Sequence, residues 1–95
     1  MSGPHVRVPA STGWVTHGGV VYAARLPDGP PLVLAGPGAL VWDAVVAAGA
    51  LDLVVDQVAA ATGESAAHVR PGVVAFVDGL VDAGVLELST AADDG

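Results

Sequence analysis

Three scattered histidines are the first residues that could do chemistry. His5, His17 and His68 lie far apart in the chain, whereas structural zinc sites use closely spaced pairs of ligands. The chain has no cysteine, so disulfides and thiolate metal sites are excluded. No nucleophile, base and orienting acid can be assembled from such a pattern. The sequence therefore predicts a protein without catalytic residues, metal ion or cofactor.

Carboxylates greatly outnumber basic side chains. Asp and Glu together number 10 against 3 basic residues, all arginine, and the formal net charge is −7. A nucleic-acid binder needs a basic face to displace counterions from phosphates, so this balance argues against that class. Asp78 and Asp82 are four residues apart and could share a helix face with a ligand, but a solvated face is the simpler interpretation.

Gly36-Pro37-Gly38 is the one glycine-rich stretch that invites comparison with a phosphate-binding loop. It lacks the Gly-Lys-Ser/Thr ending that places a cation on the phosphate. Proline is favoured at the first position of a helix, where its missing N–H costs nothing. We therefore interpret Gly36 as an N-cap and Pro37 as the first residue of a helix.

The size and the hydropathy pattern indicate one small domain. At 95 residues the chain has room for a single core. No apolar run approaches the ~18 residues of a membrane helix. The first five residues lack the basic and apolar regions of a secretory signal, so we expect a cytoplasmic protein.

The N-terminal third has the alternation and turn chemistry of antiparallel strands. Residues 14–17 and 20–26 are rich in β-branched and aromatic residues, and Gly18-Gly19 between them is typical of a two-residue hairpin turn. Residues 27–30, Pro-Asp-Gly-Pro, predict a second turn, and 32–35 a third strand. Residues 5–8 also alternate and are expected to form a short edge strand.

From Gly36 onward the apolar spacing becomes helical. The first helix is expected to end at Gly49, and the second to span 51–62 with Gly63 as its stop and a poor N-cap at Ala50. Because proline is tolerated only in a first turn, we place the regular start of the third helix near Val69, with 65–68 as a looser lead-in. Its predicted buried stripe is Val69, Val73, Phe76, Val77 and Leu80.

These elements predict an α+β fold, with a three-stranded antiparallel sheet followed by three helices. Residues 1–12 are expected to form a partly ordered N-terminal segment, and 13–88 the folded domain. Residues 85–88 predict a short extended coda within it. The polar residues 89–95 are expected to be a disordered tail.

The order of four sequence pieces resembles the PqqD-like family, also called RiPP recognition elements. The pieces are the turn PDG, a strand ending in LxLxGPGAxVW, the helix VVDQVAAATG and the final VRPGVVAFVDGLVDAGVLEL, and they cover about residues 13–88. The resemblance implies a winged helix-turn-helix-like fold that binds a peptide without cofactor or catalytic group. In this family the leader segment of a ribosomally made precursor adds a strand beside the third β-strand and lies against the third helix.

The resemblance also implies the partners. Stand-alone members hold the precursor for a modifying enzyme, such as the leader peptidase of a lasso-peptide pathway or a radical SAM maturase. The chain departs from the pattern early in the third helix, where Pro71-Gly72 replaces a usual acidic residue. Any leader contact made by that acid is therefore in doubt here.

The candidate peptide-binding residues lie on the third strand and the third helix. An uncharged edge strand can accept an extended peptide by strand addition. The simpler alternative is that this edge is covered by residues 5–8. Val74 and Val81 widen the apolar stripe of the helix and predict either a binding wall or a self-association surface. The full set is Leu32, Val33, Leu34, Ala35, Arg70, Val73, Val74, Val77, Asp78 and Val81.

Two other functions stay open at this point. A winged-helix DNA-binding regulator would share the expected fold, and a homodimeric scaffold would explain extra apolar surface.

Overall fold

The computed structural model describes residues 4–89 as a three-stranded antiparallel sheet and three helices, with a separate two-stranded sheet. No helix in that range is both long and apolar enough to cross a membrane. The elements in chain order are β1 (His5–Arg7), β2 (Thr12–His17), β3 (Val20–Arg25), β4 (Leu32–Leu34), α1 (Pro37–Ala48), α2 (Leu51–Thr62), α3 (Ala66–Asp82) and β5 (Glu87–Ser89).

The predicted hairpin is formed by β2 and β3. Gly18 and Gly19 both have positive φ, 60° and 79°, in the two-residue turn that joins the strands. Glycine adopts such angles without steric cost, and turns of this kind match the twist of the flanking strands. His17 therefore stands opposite Val20, and this pair sets the register of the whole hairpin.

Strand β4 completes the sheet on the other side of β3. Leu34 stands opposite Val21 and Val33 opposite Tyr22. Because successive side chains alternate between the two faces, Val21 and Leu34 face the helices and are buried, while Tyr22 and Val33 are exposed on the outer face. The sheet thus has one face on the core and one face toward solvent.

The N-terminal strand lies elsewhere than beside β4. Strand β1 pairs antiparallel with β5, and Val6 stands opposite Leu88. The alternative in which residues 5–8 cover the edge of β4, the third strand of the sheet, is therefore wrong. Ser89, expected to begin a disordered tail, is the last residue of β5, and 90–95 lie outside the described residues.

Val6 anchors β1 to the core, and this makes a testable prediction. Its side chain is 1% exposed, whereas its neighbour Arg7 is exposed and forms a surface ion pair with Glu87 at 3.1 Å. Val6→Ala should lower the free energy of unfolding by about 2 kcal/mol, through lost burial and a residual cavity. Arg7→Ala should cost less than about 1 kcal/mol. Urea unfolding of both variants measures the difference, and equal losses would contradict this role of β1.

The first two helices begin and end as the glycine and proline pattern predicts. Pro37 opens α1 after Gly36, and Gly49 follows its last residue. Helix α2 ends before Gly63, which is in the left-handed conformation, and Ala50 provides no side-chain cap at its start. Glycine at such C-terminal positions avoids the Cβ penalty of positive φ.

The third helix starts earlier than predicted. It begins at Ala66, because the Ser65 hydroxyl accepts a hydrogen bond from the N–H of His68 at 3.1 Å and caps the first turn. Pro71 therefore lies inside the helix, where it removes one backbone hydrogen bond. The cap and the packing of the helix offset that loss, so the inference from proline alone was wrong.

Trp42 lies at the centre of the core between the sheet and the helices. It is fully buried and meets the half-exposed ring of Trp14 edge-on, with centroids 5.6 Å apart. Its indole N–H is buried and has no hydrogen-bond partner among residues 4–89. The buried stripe predicted on α3 is only partly correct. Val73, Val77 and Leu80 are buried, whereas Val69 and Phe76 are only partly buried.

Candidate functional site

The free side of β4 is the first part of the candidate site. Among residues 4–89, no strand pairs with β4 on the side away from β3. An edge of this kind presents backbone N–H and C=O groups without a partner strand. The edge is short, uncharged and bounded by Pro31 before it and Gly36 after it.

The direction in which each backbone group of the sheet points follows from the hairpin turn. In a two-residue hairpin the closing residues, His17 and Val20, exchange hydrogen bonds, and hydrogen-bonded pairs then recur at every second residue. Val20 and Tyr22 therefore turn their backbone groups toward β2. The N–H of Leu26, in the same alternation, donates to the carbonyl of Ser11 at 2.6 Å and fixes this assignment independently.

The opposite alternation faces β4. Val21 and Ala23 turn their backbone groups toward Leu34 and Leu32, their partners in the register. Val33, between those two leucines, consequently points its N–H and its C=O at the open edge. It is the residue of β4 at which an added strand would form its hydrogen bonds.

An apolar groove of about 610 Å³ is the second part of the site. It lies between the start of α1, the end of α2 and the first half of α3. Its rim carries the side chains of Glu64 and His68, whose Oε1 and Nε2 atoms are 3.6 Å apart. Its apolar walls include Pro37, Gly38, Leu40, Val69, Gly72 and Phe76.

Gly38 joins the groove to the inner side of β4. A methyl group at this position would lie 3.0 Å from Phe76 Cζ and 3.7 Å from Leu34 Cβ. The Phe76 ring therefore approaches the α1 backbone closely, beside the last residue of β4. A side chain that leaves the β4 edge on its inner face would meet this ring.

The predicted strand residues divide by face and by burial. Leu34 is buried and Leu32 partly so, both on the core side, while Val33 is exposed on the outer face. Ala35 is exposed, and its carbonyl accepts a hydrogen bond from the N–H of Gly38 at 3.2 Å. The edge thus offers the backbone of Val33 rather than a set of side chains.

Two of the predicted helix residues are core residues. Val73 and Val77 are 3% and 1% exposed, so their side chains are packed inside the domain, although Val73 also borders the groove. Arg70 forms an ion pair with Asp52 at 2.8 Å, and Asp78 is exposed to solvent.

Val74 and Val81 lie on the other flank of α3 from Phe76. At 100° per residue they stand roughly 160° and 140° around the helix from it. Both are partly buried against the core, and neither borders the groove. The α3 wall of the groove is therefore formed by Phe76, which the sequence pattern assigned to the core, and not by the flank that carries Val74 and Val81.

Gly72 was the signal that could have revealed the groove. A glycine inside a helix destabilises the helix by about 1 kcal/mol relative to alanine, so a glycine there indicates a packing or functional requirement. It lies on the groove flank of α3 one turn before Phe76, and a Cβ there would meet open space. Its missing side chain leaves this part of the groove open.

Metal binding has no geometric support within residues 4–89. No three histidine, aspartate or glutamate side chains there come close enough together to hold an ion. The chemistry available at this site is therefore backbone pairing at β4 and apolar contact in the groove.

A solved structure, that of TbiB1 in complex with the TbiA(beta) leader peptide, is similar to this chain. The two share 17% sequence identity, the match covers 85% of this chain and 94% of the other, and the TM-score is 0.77. The chain has the TbiB1 fold. No family model and no curated protein matches the sequence. The PqqD-like resemblance and the α+β fold predicted from the sequence are confirmed at the level of the fold.

Proposed function

We propose that this chain binds the leader segment of a ribosomally synthesised precursor peptide by adding it as a strand to β4. The observation that carries the proposal is Val33, whose N–H and C=O point at an edge that no described strand occupies. Strand addition of this kind takes its affinity from backbone hydrogen bonds and its specificity from side-chain pockets. The presence of a leader peptide in the TbiB1 complex supports this choice of ligand.

The groove beside Phe76 supplies the second contribution to affinity. Burial of one large apolar side chain contributes about 1.5–3 kcal/mol. To give micromolar binding, apolar contacts and strand pairing together would have to exceed the cost of ordering a flexible peptide by about 8 kcal/mol.

The biological role that fits this site is presentation rather than catalysis. The chain would hold the precursor for a modifying enzyme, such as a leader peptidase of a lasso-peptide pathway or a radical SAM maturase, in the cytoplasm. The charge of −7 favours this role over that of a DNA-binding regulator.

The direct test uses the short open reading frames beside the gene. Their N-terminal segments, made as fluorescein-labelled peptides, should include one that binds with a dissociation constant in the micromolar range or below, measured by fluorescence anisotropy. A labelled DNA duplex in low salt is the control and should not bind. Binding of the duplex, or of none of the peptides, would contradict the proposal.

Phe76→Ala should weaken peptide binding at least tenfold, which corresponds to about 1.4 kcal/mol. The reason is that its ring forms the wall between β4 and the groove. The stability loss should stay below the ~3–5 kcal/mol of a buried phenylalanine, because the ring is only partly buried.

Val74→Ala is the matched control for this wall. It removes a partly buried apolar side chain from the opposite flank of the same helix. Its peptide affinity should stay within about twofold of the unmodified chain, since Val74 contacts no part of the groove. If Val74→Ala weakened binding as much as Phe76→Ala, the wall would lie on the flank predicted from the sequence.

A further inference from the structure

The outer face of the three-stranded sheet carries a continuous apolar row. Val15, Tyr22 and Val33 stand side by side across β2, β3 and β4, and are 62%, 41% and 63% exposed. The solvent face of an antiparallel sheet is normally polar, so three neighbouring apolar side chains there are unusual. The row ends at Val33, on the open edge.

The geometry of a sheet determines what a bound peptide would place next to this row. The peptide residue directly opposite Val33 projects its side chain to the same face as Val33, whether the added strand runs parallel or antiparallel. That side chain would therefore lie beside Val33, as Tyr22 does on the other side. It would extend the row by one residue.

The adjacent peptide residues project to the inner face. There they share the side of the sheet on which Leu34 lies, next to Gly38 and Phe76. Consecutive side chains of the peptide would thus contact two different surfaces, the outer row on one face and the groove on the other.

We propose that the Val33 end of the outer row is a second specificity surface, which selects an apolar residue opposite Val33 and next to the apolar residue held in the groove. The proposal rests on the proposed function and deepens it. It defines the ligand as a peptide with two adjacent apolar side chains that point to opposite faces of the added strand. Val33 contributes its backbone to affinity and its side chain to this selection.

A random dodecapeptide library displayed on phage tests the proposal. It is panned against the unmodified chain, Val33→Thr and Val15→Thr, and the bound pools are sequenced. Threonine keeps the shape, the backbone groups and the strand preference of valine but has a hydroxyl in place of one methyl group. Val15→Thr is the matched control, because it makes the same change in the same row on β2, the opposite edge strand, two strands away from β4.

The unmodified chain and Val15→Thr should enrich peptides with two adjacent apolar residues. Peptides enriched on Val33→Thr should keep one apolar position and show no apolar preference at the adjacent position. A peptide selected on the unmodified chain should bind Val33→Thr about three to five times more weakly, which is the size of one cross-strand pair.

Two results would overturn the proposal. They differ in whether they also refute the proposed peptide binding. If the unmodified chain and Val33→Thr enriched the same peptides, with a single apolar position each, the second surface would be refuted while strand addition stood. If no peptide were enriched on the unmodified chain, both the second surface and the proposed peptide binding would be refuted.

Discussion

Val33→Pro is expected to leave the chain folded and to abolish peptide binding, whereas Leu34→Pro should unfold it. The N–H of Val33 points at the open edge, so proline there removes a donor that only a ligand uses. The N–H of Leu34 points at Val21, and its side chain is buried. Proline at 34 therefore removes a ladder hydrogen bond and core packing together.

The two proline variants are compared by thermal melting and by anisotropy of a bound leader peptide. Val33→Pro should lose about 1 kcal/mol of stability or less and at least tenfold in affinity. Leu34→Ala is the control for the lost side chain, at about 2–5 kcal/mol, and Leu34→Pro should exceed it by the lost backbone bond. Normal binding by a folded Val33→Pro variant would rule out β4 as the docking edge.

Trp42→Ala is expected to remove most of the free energy of unfolding of the domain. The side chain is fully buried at the junction of the sheet and the helices, and such truncations cost about 3–5 kcal/mol. A domain of this size has a total stability near the lower end of the usual ~5–15 kcal/mol. Far-UV circular dichroism with urea titration measures the loss.

Trp42→Phe separates the contribution of apolar burial at this position from that of the indole N–H. It keeps most of the apolar volume and removes the buried indole N–H, which has no partner in the described part of the chain. Because burial of an unpaired donor is itself unfavourable by about 1–3 kcal/mol, part of the packing loss should be offset. The cost of Trp42→Phe should therefore be less than half that of Trp42→Ala. Equal losses would mean that the N–H makes a compensating contact, for example with the ring of Trp14.

The local elements could be predicted from the sequence because their signals are local. Gly18-Gly19, Gly36-Pro37, Gly49 and Gly63 each mark a turn or a helix end through backbone conformations that few other residues adopt. The pairing of β1 with β5 was not visible, since it joins residues 80 or more positions apart. The start of α3 was misplaced because Pro71 was given more weight than the cap at Ser65.

The candidate site was predicted less well than the fold. Sequence alone made β4 a candidate edge, with cover by residues 5–8 as the alternative, but whether Val33 or Leu34 faces outward depends on register, and register needs the partner strand. The assignment of Phe76 to the core and of Val74 to the groove followed from hydrophobicity alone. A partly exposed aromatic residue beside a helical glycine has the same apolar pattern as a buried one.

The pairing of β1 with β5 brings His5 and Ser89 side by side, in a sheet separate from the one that contains β4. Polypeptide attached before β1 and polypeptide attached after β5 would therefore leave the domain at one place. Chain ends that lie together allow a whole domain to be inserted into a loop of another protein. The unit could thus be transplanted into a host enzyme as a cassette, with β4 still free to accept its peptide.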